Sequence, residues 1–181
     1  MNCHEQTLKT KSPDPFGRLQ QEIDSFQLLD RLGIDYAWLD HEIKMTIADC
    51  EDIDEILEIK LCKNLFLWNK AHDSYYLLMM PGHKKFITKE VSAQVGSSRL
   101  EFAPGEEMEA LLNLSPGSVS VLGLMYDTDN RVQLLIDRDV LAHPYIGCHP
   151  CINTSSLRMP TTDFLEKLLP AIGHKPIILD L

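Results

Sequence analysis

"NLFLWNKAHDSYYLLMM", residues 64 to 80, decides the fold. Two runs, Asn64 to Trp68 and Tyr75 to Met80, are rich in aromatic and aliphatic residues and too short for a stable helix. The polar stretch 69–74 ("NKAHDS") between them reads as a turn, so the runs form an antiparallel hairpin. A doubly wound parallel sheet needs a crossover helix between successive strands and has no place for this hairpin. The sequence therefore points to an α+β domain around a mixed sheet.

The flanks agree. Upstream, Phe16, Leu19, Ile23, Phe26, Leu28, Leu29 and Leu32 recur at close to helical spacing, and Gly33 ends the run. A strand is expected over 35–42 with Tyr36, Trp38 and Leu39 inward, then a helix over 49–61 with acids in its first turn. Downstream, helices are expected over 88–95, 104–114 and 161–169, the last capped by Thr161 or Thr162. Strands are expected over 99–103, 118–126, 131–137, 152–159 and 176–181. Residues 1–15 are polar, hold Pro13 and Pro15, and read as a flexible tail; residues 16–181 read as one domain.

The bulk numbers bound the function. Hydrophobic residues make up 44% and charged residues 24%, an ordinary globular balance. No run approaches the roughly 18 apolar residues that span a membrane. The first residues lack the apolar core of a secretory signal, so a cytoplasmic protein with reduced thiols is expected. The net charge of -10 argues against wrapping a nucleic acid, but it is unevenly spread. Lys60, Lys63, Lys70, Lys84, Lys85, Lys89 and Arg99 face only Asp73 and Glu90 between residues 60 and 99. An acidic body with one basic stretch suits local contact with a phosphate chain end; a solvated charged face explains it equally well.

Four motifs carry chemistry, each with a plain structural alternative. Cys148 and Cys151 have the spacing of a redox pair or half a zinc site. No helix begins beside them and no second ligand pair stands at suitable spacing, so small apolar packing is the reading adopted. His149 and Asn153 flank a proline-stiffened turn; they either face one cavity or bond to local backbone. Lys63 stands at the mouth of an apolar strand, where its ammonium can bind a carbonyl or phosphate oxygen or simply face water. Pro116-Gly117-Ser118 precedes an apolar run, and Gly117 permits dihedrals that let amides converge on an oxygen, or an ordinary turn. Nucleotide P-loop, nucleophile-elbow, zinc-protease and dinucleotide motifs are missing from the sequence. No cofactor and no metal is expected.

In their order and spacing, Lys63-Asn64-Leu-Phe-Leu, Pro116-Gly117-Ser118-Val119 and His149-Pro150-x-x-Asn153-Thr154 resemble the YbaK/ProX family of prolyl-tRNA editing proteins. The similarity runs from about Phe16 to Leu181. It implies a compact α+β domain with a mixed central sheet and flanking helices, and hydrolysis of the ester in mischarged tRNA for proline. The motifs look most like the branch that removes alanine. The resemblance implies catalytic roles for Lys63, Gly117 and Ser118, and substrate contacts from Asn64, Gly147, His149 and Asn153. No serine or cysteine nucleophile with an adjacent base is evident, so direct attack by water is expected, and the resemblance suggests that the free 2′-hydroxyl of the terminal adenosine orients it. On this reading Lys63 and the turn at Gly117 meet around the ester bond, and loss of Lys63 costs about 10²–10³ in rate. Lys60, Lys70, Lys84, Lys85 and Lys89 would hold the acceptor end of the tRNA. Prolyl-tRNA synthetase is a second partner to consider; membrane and DNA are not expected. The family's G-x-x-x-P loop falls on Gly117 to Val121, so valine stands where the family has proline. That departure keeps a non-catalytic aminoacyl-tRNA-binding regulator as an alternative, with a thiol oxidoreductase using Cys148 and Cys151 as a more distant one.

Overall fold

The computed structural model describes residues 8–43, 51–60 and 62–181. The elements, in chain order, are α1 (Gln20–Arg31), β1 (Ala37–Asp40), α2 (Glu51–Leu57), β2 (Cys62–Asn69), β3 (Tyr75–Pro81), α3 (Thr88–Val95), β4 (Leu100–Phe102) and α4 (Gly105–Leu112). They continue with β5 (Val132–Asp137), β6 (Tyr145–Cys148), β7 (Ser155–Pro160), α5 (Thr161–Asp163), α6 (Leu169–Ala171) and β8 (Ile177–Leu179). A π-turn, Phe164–Leu168, joins α5 to α6.

The hairpin β2–β3 is the centre of a five-stranded sheet of order β4-β2-β3-β5-β8. Its first two pairings are antiparallel, and β3–β5 and β5–β8 are parallel, so the sheet is mixed. A second, antiparallel sheet has the order β1-β7-β6. Strand alternation divides the core. Phe66, Leu77, Met79, Leu134 and Ile136 face one way and pack with Phe26, Ile146, Leu157 and Met159, joining the two sheets and α1. Leu67, Leu78, Met80 and Leu135 face the other way, against Val91 of α3 and Leu179.

Several boundaries differ from the sequence reading. The stretch 118–126, expected as a strand, contains a 3₁₀ helix, Val121–Tyr126. Ser120 caps it: its extended backbone precedes the turn and its hydroxyl accepts from Leu122 N. Val121, Leu122 and Leu124 are all buried, so an apolar run that reads as a buried strand is a buried tight helix. Helix α1 begins at Gln20 rather than Phe16, because Gly17 turns the chain at φ +77 and leaves Phe16 93% exposed. Helix α2 stops at Leu57, where Glu58 adopts φ +54; positions 49, 50 and 61 of the expected helix lie outside the described residues. The expected strand over 152–159 starts at Ser155, and its partner β6 has too short a pattern to be seen in the sequence. Within the expected N-terminal tail, Lys9 is bridged to Trp38 on the edge of β1, and Trp38 Nε1 donates to the Lys11 carbonyl. Among the described residues no helix is long and apolar enough to cross a membrane.

Candidate active site

The end of β6 and the start of β2 enclose a small cavity of about 30 Å³, lined in part by Asn64, Gly147, His149 and Ser156. That volume holds a water or a methyl-sized group. Gly147 packs tightly here: a Cβ on it would stand 2.2 Å from Ile59 Cδ1, so a larger residue would require Ile59 to shift. Asn64 comes from the face of β2 that also carries Phe66, and its Oδ1 is buried with no hydrogen-bond partner among the described residues. A buried orphan acceptor is rare in folded proteins and marks a place where a ligand or water completes the bonding.

His149 is oriented from behind. Its Nδ1 lies 2.9 Å from the Ser155 carbonyl, which can only accept, so this nitrogen carries the proton. Burial lowers the imidazole pKa, and nearby His41 adds to the effect. The ring is therefore neutral, with Nε2 an acceptor that bonds to no described group. Ser156 Oγ lies 3.4 Å from the same Nδ1 and 2.8 Å from His41 Nε2, which links the two histidines.

The glycine turn is tied to the site through Ser120. Gly117 has φ +87, and a Cβ placed on it would lie 3.9 Å from Asn153 Nδ2. Ser120 Oγ donates to the His149 carbonyl at 2.5 Å while capping the 3₁₀ helix. Ser118 is buried, and its amide is bonded to the Ser115 carbonyl. Ser120, His149, Gly147 and Asn64 thus form one connected group, while Gly117 stands beside Asn153 and neither of those two lines the cavity. Sequence reading missed Ser120, Ser156 and His41. A serine before an apolar run is a capping signal, but the strand expectation hid it.

Lys63 does not join that group. Adjacent strand residues point to opposite faces, and Lys63 pairs with Met80 on the face away from Asn64. Its ammonium donates to the Lys84 carbonyl. The expectation that Lys63 and Gly117 share one hollow is thereby corrected. Lys84, expected to bind tRNA, has its ammonium on Asp137 at 2.9 Å and Asp139 at 2.8 Å, so its charge is met inside the protein. Lys70 lies in the turn at the far end of the β2–β3 hairpin from Lys60, Lys85 and Lys89, so the expected basic stretch is split. Those four lysines are exposed.

The cysteines are inert by position. Cys148 and Cys151 are buried and free, with Ser25 Oγ 3.4 Å from Cys151 Sγ. Burial pushes Cys151 up to about 12 and raises Cys148 as well, the reverse of a reactive thiol.

The family model of the aminoacyl-tRNA editing domain matches residues 41–167. The chain belongs to this family. It is an aminoacyl-tRNA deacylase, a hydrolase of the ester bond between an amino acid and its tRNA. It is 30% identical over 146 residues to the prolyl-tRNA editing protein ProX of Acetoanaerobium sticklandii, covering 81% of this chain and 88% of that protein. It is 28% identical over 163 residues to prolyl-tRNA synthetase associated domain-containing protein 1 of Danio rerio, covering 89% and 86%. A solved structure described as a candidate trans-editing enzyme for prolyl tRNA synthetase superposes with a TM-score of 0.65 at 15% identity, covering 91% of this chain and 99% of that one. The last match speaks to the fold.

Val121, where the resembled family has proline, is compatible with this site. It is the first residue of the 3₁₀ helix, a position whose N–H needs no helical partner and where proline and valine both serve.

Proposed function

We propose that this editing domain acts in trans on tRNA for proline mischarged with alanine. The observation that carries the reading is the cavity between β2 and β6. It has room for a methyl group, and Asn64 Oδ1 and His149 Nε2 are acceptors awaiting a partner at its wall. Alanine's side chain matches that volume; the proline ring exceeds it. Exclusion by size rejects larger groups well and smaller ones poorly, so glycine esters pass as well.

The chemistry is a simple hydrolysis. A water oxygen bonds to the ester carbonyl carbon, the bond to the ribose oxygen breaks, and that oxygen takes a proton as alanine leaves. The Gly117 amide stabilises the carbonyl oxygen, with Asn153 beside it, and the Ser118 amide, already bonded to the Ser115 carbonyl, holds the turn in shape. Asn64 and His149 hold the aminoacyl group, and the free 2′-hydroxyl of the terminal adenosine orients the water. Lys63 serves from the other face of β2 as an anchor for a substrate phosphate, released from the Lys84 carbonyl when the tRNA binds. Lys60, Lys85 and Lys89 guide the acceptor end, and Lys70 contributes at most at a distance. Prolyl-tRNA synthetase is the source of the mischarged substrate.

The test is a panel of alanyl-, glycyl-, seryl- and prolyl-tRNA for proline with purified protein. Fast release of alanine and slow release of proline support the reading; release of proline at the alanine rate contradicts it.

A further inference from the structure

Ser156 and His41 form a pair for which the hydrolysis has so far no role. Ser156 lies on β7, and the β6–β7 register, which pairs Cys148 with Leu157, brings it opposite His149 in the wall of the small cavity. His41 follows the end of β1, the strand paired with β7, and its backbone N–H donates to the Thr154 carbonyl at 2.9 Å. We propose that the two form a proton relay for the deacylation: the Ser156 hydroxyl takes a proton from the attacking water and passes its own to His41. This rests on the deacylase reading and adds to it the group that receives the water's proton.

Three observations carry it. First, the partners fix the directions of the hydrogen bonds. His41 Nδ1 lies 2.8 Å from the Glu42 carbonyl, which only accepts, so this nitrogen carries the proton of the neutral ring. His41 Nε2, 2.8 Å from Ser156 Oγ, is then an acceptor, and the hydroxyl donates to it. A serine hydroxyl facing an imidazole that is held from behind is the arrangement of an activated hydroxyl. His149 does not compete for that proton, since its Nδ1 is 3.4 Å away and already donates to the Ser155 carbonyl. Second, with its proton on His41, Ser156 Oγ keeps lone pairs for a water, and it lines the same cavity as Asn64 and His149. With the methyl group of alanine in that cavity, the ester carbon is two bonds away at its mouth. Third, the proton has a way out. Ser156 is buried and His41 only half-buried, so the relay leads from the cavity toward solvent. Burial keeps His149 neutral, and its ring centre lies 6.2 Å from that of His41, so a proton arriving at the pair settles on His41. The thiols of Cys62 and Cys148 in the same wall are raised by burial and keep their protons.

The steps balance. As the water oxygen bonds to the ester carbon, its proton goes to Ser156 Oγ and the serine proton to His41 Nε2. When the bond to the ribose oxygen breaks, His41 returns a proton through Ser156 to that oxygen. Ser156 forms no covalent bond to alanine, and both side chains end as they began.

The test measures release of alanine from alanyl-tRNA for proline by Ser156→Ala, His41→Gly and the double variant, each checked for folding by circular dichroism. Each single variant should lower kcat by about 10²-fold, within the range of general acid–base catalysis, with KM little changed. The double variant should be no slower than either single one, because the two side chains act as a unit. Imidazole should restore much of the rate to His41→Gly, measured over the uncatalysed reaction, a rescue that a merely structural role does not give. A folded His41→Gly with the wild-type kcat overturns the proposal, as does one that imidazole leaves slow. Alanine found covalently on Ser156 by mass spectrometry of acid-quenched wild type also overturns it, because the serine is then the nucleophile. A loss confined to Asp54→Asn hands the role to the carboxylate in the same wall and overturns it too. A wild type that deacylates no aminoacyl-tRNA removes the functional reading itself, and this proposal with it.

Discussion

Replacing Ser120 with alanine is the sharpest single-atom test of how this site is assembled. The hydroxyl is fully buried and makes two bonds in opposite senses. It accepts from Leu122 N at 3.2 Å, closing the first turn of the 3₁₀ helix, and donates to the His149 carbonyl at 2.5 Å. Loss of a serine cap costs about 1 kcal/mol. Leaving a buried carbonyl without a donor costs about 1–3 kcal/mol more. Ser120→Ala should therefore lose about 2–4 kcal/mol, read as a lower denaturant midpoint with an unchanged slope. In a chain of this length that corresponds to a melting temperature lower by roughly 5–15 °C. Because the same bond fixes the backbone of His149, alanine release should slow even at temperatures where the variant is folded. Ser120→Thr, which keeps the hydroxyl, should recover most of both losses. A midpoint within about 0.5 kcal/mol of wild type, the usual scatter of neutral substitutions, would refute the argument that Ser120 ties the glycine turn to the histidine.

Three other outcomes follow from the same geometry. Val121→Pro should be neutral or stabilising by about 0.4–1 kcal/mol, because Ser120 already has the φ -144, ψ 143 that a residue before proline prefers; a clear loss of stability in a thermal melt would contradict the N1 assignment. Gly147→Ala should cost about 1–3 kcal/mol by overpacking against Ile59, and Gly147→Ala/Ile59→Ala should recover part of it in the same melt. The raised thiols give a pH signature. Cys62 and Cys151 are both pushed up to about 12 by burial, so the unfolded chain ionises first as pH rises. Stability should be flat below the ordinary thiol pKa and fall between it and about 12, and iodoacetamide should label the native protein more slowly than the unfolded one; faster native labelling would point to a reactive thiol.

The sequence is most legible where side-chain period and turn chemistry agree. The hairpin over 64–80 satisfied both, and it became the centre of the five-stranded sheet. Residues 118–126 misled because burial on all sides erases periodicity; only the Ser120 cap distinguishes the 3₁₀ helix from a strand. The site was legible as a set of residue types but not as a geometry. Lys63 and Asn64 are neighbours in sequence and opposites in space, since a strand turns successive side chains to different faces. The charge of Lys84 looked available because its partners Asp137 and Asp139 lie more than fifty residues on. The His41–Ser156–His149 link joins segments from the two ends of the domain, which no local pattern encodes.

The central claim is that the cavity walled by Asn64 and His149 receives the amino acid. Single-turnover release of alanine from alanyl-tRNA for proline by Asn64→Ala tests it most directly, with folding checked by circular dichroism. The account expects a folded variant slowed by about 10²-fold or more, the scale of losing a group that positions the reacting ester. A folded Asn64→Ala protein that releases alanine at the wild-type rate would place the chemistry elsewhere.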